Sequence, residues 1–190
     1  MKKTEESNMG RRAARGYMQK LVVCALLVAI SIVMGKYAQI PVGQALRFSF
    51  ENFPIILCGF AFGPLWGAVV GIVADLVGCI LVGYAINPII TLGAASIGAV
   101  SGAIGLCRRS FLKEKLLLWV ALAEILAHLC GSVAIKTFGL ASFYSMPLWE
   151  LMLWRLLNYA IVATAEIFIM YYLLKNRMFS ANINKLGGKL

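Results

Sequence analysis

The sequence is poor in what a soluble enzyme is built from. Charged residues make up 14% of its 190 positions, against about 25% in soluble domains, and Asp and Glu number 8 against 18 Lys and Arg. There is 1 histidine, and H-E-x-x-H, G-x-S-x-G and C-x-x-C are all missing, so zinc, serine-hydrolase and dithiol chemistry lack their minimum parts. No G-x-x-x-x-G-K-[ST] loop occurs, because Gly187-Gly188-Lys189 carries only part of that pattern, and ATP cannot be bound in the usual way. Cys24, Cys58, Cys79, Cys107 and Cys130 stand singly among apolar residues, which signals neither a disulfide framework nor a zinc site. An enzyme is not expected, nor a metal or cofactor.

What is present is apolar: 61% of the chain is hydrophobic, and at roughly 20 residues per crossing its length holds about six spans with short loops. The first run, residues 20–37, is basic at its start but shows no A-x-A-like cleavage site, so a retained helix is expected. Residues 39–50, with Pro41, Gly43, Gln44, Arg47 and Ser49, are too polar to face lipid and form a loop. The run 52–62 is short for a crossing and stops at Gly63-Pro64. Runs 65–82, 87–106, 116–140 and 148–174 complete the set. Gly63, Gly67 and Gly71 put small residues on one face of the third helix, where backbones can approach closely.

The basic residues fix the orientation. Fourteen of the 18 fall before or at the very start of the first run, between the fourth and fifth, or after the sixth; only Lys36, Arg47 and Lys136 fall at the other side, with Arg155 inside the last run. The positive-inside rule puts such clusters in the cytoplasm, against anionic lipid headgroups, and leaves nucleic acid little claim on the charge. The expected protein is therefore an all-α integral membrane protein of the cell membrane, a six-transmembrane-helix bundle with N- and C-termini cytoplasmic. Residues 1–19 and 176–190 are its basic cytoplasmic tails, 20–175 its membrane domain and 39–50 an outer gating loop.

A charge near the bilayer centre costs on the order of 2.5–3.5 kcal/mol on insertion scales, so ionisable groups inside the spans mark function by default. Asp75, Glu124, His128, Arg155 and Glu166 qualify. The structural alternative is mutual neutralisation, with Arg155 against Asp75 or a glutamate, and Glu124 hydrogen-bonded to His128 one turn away. A pocket at the outer helix ends would draw an anion with Arg47, Lys136 and Arg155 and stack an aromatic ring on Phe48, Phe50, Tyr84, Phe143, Tyr144 or Trp154. Asn52, Asp75 and Asn87 could pair with ring donors and acceptors.

The stretch from Leu46-Arg-Phe-Ser-Phe, through Pro54-Ile-Ile-Leu and Phe62-Gly-Pro, to Asp75-Leu-Val-Gly78 resembles the substrate-binding S-components of energy-coupling factor (ECF) vitamin transporters, most closely their folate-specific branch. Asn87-Pro-Ile-Ile-Thr-Leu-Gly93 is similar to a further segment of that family, with aliphatics where an aromatic is common. Ala25-Leu-Leu-Val-Ala29 matches the family's Ala-x-x-x-Ala docking signature. The resemblance implies an ECF-type ABC importer. This chain would capture folate from outside, and a transmembrane T-component, docked at Ala25 and Ala29, would act with two cytosolic ATPases to energise release. It also implies that Arg47, Phe48, Asn52, Asp75, Tyr84, Asn87, Lys136, Trp154 and Arg155 surround the ligand. An S-component for riboflavin or a queuosine precursor, or a small ion-coupled carrier, stands as the alternative.

Overall fold

The computed structural model describes residues 2–42, 46–111, 115–144 and 147–186. Helix α1 covers Lys2–Ile32 and passes into a π-helical turn, Val33–Tyr37, so the basic segment before residue 20 is continuous with the first apolar run. Two short strands follow, β1 (Ile40–Val42) and β2 (Leu46–Phe48), paired antiparallel with Pro41 opposite Arg47. Apart from this short hairpin the described elements are helical, as the all-α expectation has it. The mixed Pro and Gly composition of 39–50 read as loop, yet a three-residue ladder meets the backbone hydrogen bonds there.

Among the described residues, five helical stretches are long and apolar enough to cross a membrane: 16–37, 64–82, 88–108, 116–142 and 148–175. Between the first two lies the shorter apolar α2, Phe53–Phe62. Pro54 sits in its first turn, where a missing N–H is harmless. The chain then reverses at Gly63, whose φ of +102° suits glycine alone, and α3 (Pro64–Val82) starts at once on Pro64. Gly83, at φ +74°, ends α3 with a left-handed cap. Helix α4 spans Pro88–Phe111 and α5 Leu116–Ala127; a second π-helical stretch, His128–Ile135, joins α5 to α6, Lys136–Tyr144. Helix α7 covers Leu148–Lys175, and α8, Arg177–Lys185, is capped by the Asn176 side chain accepting from the Met178 amide.

Helix α4 is the hub, packed against α2, α3, α5, the second π stretch and α6. Small residues permit this. A Cβ on Gly67 would run into the backbone of Gly98, and one on Gly98 into the backbone of Gly67, so the two helices meet main chain to main chain as close membrane crossings do. The core is built on α2, where Ile56, Cys58, Phe60 and Ala61 are buried with Val70, Ile97, Val120 and Met170. Outside, exposed Leu, Ile and Val line α1, α3, α5 and α7. So large an apolar exterior is the face of a protein whose solvent is lipid.

Candidate functional site

Enclosed polar side chains collect where α1 ends, α2 begins and α3, α4 and α6 converge. A cavity of about 20 Å³ lies there, room for one water. Ser31, Lys36, Glu51, Asp75 and Lys136 line it with apolar Ile32, Ile55, Ala74 and Ala94. Glycines make space for the charged groups. A Cβ on Gly35 would lie 2.6 Å from Glu51 Oε2, one on Gly78 3.1 Å from Lys36 Cε and one on Gly93 2.6 Å from Lys136 Cγ. The two lysines are placed by the π-helical stretches, Lys36 within the first and Lys136 directly after the second. Such wide turns recur at functional positions in helices.

Lys136 is 6% exposed, buried rather than near the surface as its place in the sequence suggested. Its Nζ donates to Glu51 Oε1 at 3.2 Å and Asn52 Oδ1 at 3.3 Å. The Ser31 hydroxyl donates to the Glu51 carbonyl at 2.6 Å, and Ser49 Oγ accepts from the Glu51 amide at 3.2 Å, so the residue is held at backbone and side chain alike. Burial alone would push the Glu51 carboxyl up, but Lys136, Lys36 and Arg155 together hold it below the usual carboxylate range. Across the cavity, Thr91 Oγ1 donates to Asp75 Oδ2 at 2.7 Å.

The site residues expected from the sequence divide accordingly. Asp75 and Lys136 line the cavity, and Asn52 lies one hydrogen bond behind. Tyr84 does not line the cavity but meets one of its residues, Lys36, whose Nζ stands 5.3 Å from the ring centroid. Phe48 is half-buried on β2. Asn87 ties helices: its Nδ2 donates to the Gly139 carbonyl at 3.0 Å while Oδ1 accepts from the Ile89 amide at 3.0 Å. Trp154 is exposed. The side chains of Arg47, Phe143 and Tyr144, and residues 43–45 of the loop, lie outside the described residues.

Among the described residues, Arg155 forms an ion pair with neither Asp75 nor a glutamate. Its Nη2 donates to Tyr159 Oη at 3.2 Å, and the Tyr159 ring stacks on His128 at 4.8 Å between centroids. Packing explains this, since α7 rests on α5 and α6 whereas Asp75 belongs to α3, which rests on α1, α2 and α4. Glu124 likewise yields its expected partner: His128 Nε2 is 2.6 Å from Glu166 Oε2 and 3.7 Å from Glu124 Oε2. The sequence reading missed Lys36 and Glu51 as cavity residues. Lys36 was counted only among the cations of the outer side, and Glu51 was overlooked although it directly precedes Asn52.

The sequence profile of the family described as ECF transporter, substrate-specific component, matches residues 19–183. The chain belongs to that family. This S-component is similar in structure to FolT bound with folic acid, at 26% identity and a TM-score of 0.65 over 80% of this chain and 90% of that one. It is similar also to the S-component for biotin from an ECF-type ABC transporter, at 16% identity and a TM-score of 0.63 over 86% and 95% of the two chains, a likeness of fold alone. A 67-residue stretch is 37% identical to an uncharacterized protein of Mycoplasma pneumoniae, covering 35% of the S-component and 23% of that relative's length. The S-component is thus a multi-pass membrane protein and the substrate-binding subunit of a transporter rather than an enzyme.

Proposed function

We propose that this S-component captures folate from outside the cell and passes it inward with a T-component and two cytosolic ATPases. The observation that carries the reading is the chamber between α1, α2, α3, α4 and α6, where Lys36 and Lys136 face Glu51 and Asp75. Folate bears two carboxylates on its glutamate and a pterin edge of donors and acceptors. Two lysines suit the former, and Asp75 with Glu51 suits the latter. The likeness to FolT, at 26% identity, favours folate over other vitamins. A ligand of that size needs a pocket of about 300–1,000 Å³, so capture requires the chamber to widen, with the 39–50 loop as its outer gate.

In this reading α2 is the sixth crossing, thinned or tilted to suit its length, and both termini are cytoplasmic. Ala25 and Ala29 are exposed together on the outward face of α1, a smooth strip for the T-component. Folate titration of the purified chain, followed by calorimetry, tests the proposal: saturable binding is expected, weakened at least tenfold in Lys36→Met and Lys136→Met. Indifference to folate beside tight binding of riboflavin or a queuosine precursor would reject the specificity. Uphill transport by the chain alone in proteoliposomes would reject the division of labour.

A further inference from the structure

A polar column leads from the chamber into the bundle. Beyond Lys136 and Asn52, the Asn52 Nδ2 donates to Ser132 Oγ at 3.1 Å, and Ser132 Oγ lies 3.4 Å from His128 Nδ1. On the other edge of the imidazole, Nε2 faces Glu166 and Glu124. Glu124 and His128 stand one turn apart, while Glu166 comes from α7. The group is sealed from solvent: both glutamates are 0% exposed and His128 2%.

As ionised carboxylates these groups lack donors: neither oxygen of Glu124 accepts a hydrogen bond from the described residues, nor does Glu166 Oε1. Buried acceptors in that state are costly unless a proton shared between the two carboxyls or a cation meets them. Among the described residues, no lysine or arginine forms an ion pair with either glutamate. A divalent cation with two carboxylates and a neutral imidazole would leave no net charge inside the bundle. The imidazole has the posture of a metal ligand, with Nδ1 engaged by Ser132 and Nε2 turned to the carboxylates. The three ligand atoms lie within 4.8 Å of one another. Atoms sharing one tetrahedral ion at bonds of about 2.0–2.2 Å stand about 3.3 Å apart, a value bracketed by the 2.6 and 3.7 Å spacings around Nε2. One nitrogen and two carboxylate donors suit a first-row divalent ion such as Zn²⁺ rather than soft Cu(I) or hard Ca²⁺.

We propose that Glu124, His128 and Glu166 form a site for a divalent transition-metal ion. The ion clamps α5 and the π stretch to α7 and so steadies the wall that carries Ser132 and Lys136. No sequence motif announces it, because Glu166 is 38 positions from His128 and on another helix.

The test uses the full chain in detergent, stripped with a chelator and titrated with Zn²⁺, and with Co²⁺ as a spectroscopic probe. One equivalent of Zn²⁺ per chain is expected. The melting temperature should rise by roughly 5 °C at about 100-fold excess over Kd, and Co²⁺ should give visible bands without thiolate charge transfer. Glu124→Gln and His128→Gln should each weaken Zn²⁺ binding by about 100-fold. A wild-type chain that takes up no Zn²⁺ and melts unchanged would overturn the site, as would an equivalent that survives both substitutions. Should the variants not fold, the wild-type Co²⁺ spectrum decides, since thiolate bands would assign the ion to a cysteine instead. None of these readouts involves folate, so the outcome is separate from that of the vitamin proposal.

Discussion

Replacing Lys136 with Met should destabilise the bundle more than removing both members of its ion pair. At the 3.2 Å separation from Glu51, unit charges in an effective dielectric of 20 attract by about 5 kcal/mol. Desolvation offsets much of that, and breaking a buried pair from one side costs about 3–5 kcal/mol because the other charge is stranded. The Glu51 side chain keeps 30% of its surface accessible, so water softens the loss and the lower figure, about 3 kcal/mol, applies to Lys136→Met. In Glu51→Gln/Lys136→Met no charge is stranded. Only the donor to Asn52 Oδ1 is missing, at about 1 kcal/mol. Adding Glu51→Gln should therefore recover about 2 kcal/mol of what Lys136→Met loses. At about 2–4 °C per kcal/mol for a chain of this size, Lys136→Met should melt about 6–12 °C below wild type and the double variant should regain more than half. Buried Cys24, Cys58 and Cys79 supply the assay, since a thiol-reactive dye labels them as the bundle opens. A double variant no more stable than Lys136→Met would refute the reasoning.

Acid should weaken the same pair. The Glu51 carboxyl is held below its ordinary value of 4.5, so its contribution is fully present above that value and is lost as the pH falls through the depressed one; melting curves of wild type should drop there while Glu51→Gln stays flatter. Gly98→Leu puts a side chain into the backbone of Gly67, and size-exclusion profiles should show little monodisperse protein. Gly16→Leu, where nothing lies within 4 Å, should elute as wild type. Asn87→Ala removes both the link to Gly139 and the cap on Ile89, so a loss of about 1–2 kcal/mol is expected by thermal melting.

The long spans were legible because lipid imposes one crude demand, an unbroken apolar run, and the helices 64–82, 88–108 and 148–175 follow it closely. The brevity of α2 was equally plain from Gly63-Pro64. The hairpin at 40–48 was not, since three-residue strands carry too little alternation to show through Pro41 and Gly43. At the chamber, Asp75 was legible as a charge in an apolar run, and Lys136 as a cation of the outer helix ends but not as a buried one. Lys36 was not, because an interfacial lysine and one turned inward over Gly78 look alike in one dimension. The partner of Arg155 was misjudged for a related reason: charge complementarity says who could pair, and helix packing says who is within reach. The π-helical stretches left no trace, as 128–135 is small and apolar on nearly every side.

The wide turn at His128–Ile135 sets the angular phase of all that follows it. Closing on i→i+5, such a turn carries a residue more than an ordinary one, and each residue advances about 100° around the axis. The extra residue is taken up within the stretch, so a chain shortened there by one position would close as a regular spiral with the Lys136 ammonium near its present bearing, whereas one shortened by two would carry it about 100° away. The chamber, formally balanced between Lys36 and Lys136 on one side and Glu51 and Asp75 on the other, would then turn anionic. Two lost codons, too slight to disturb any hydropathy plot, would repel the carboxylates of the proposed ligand.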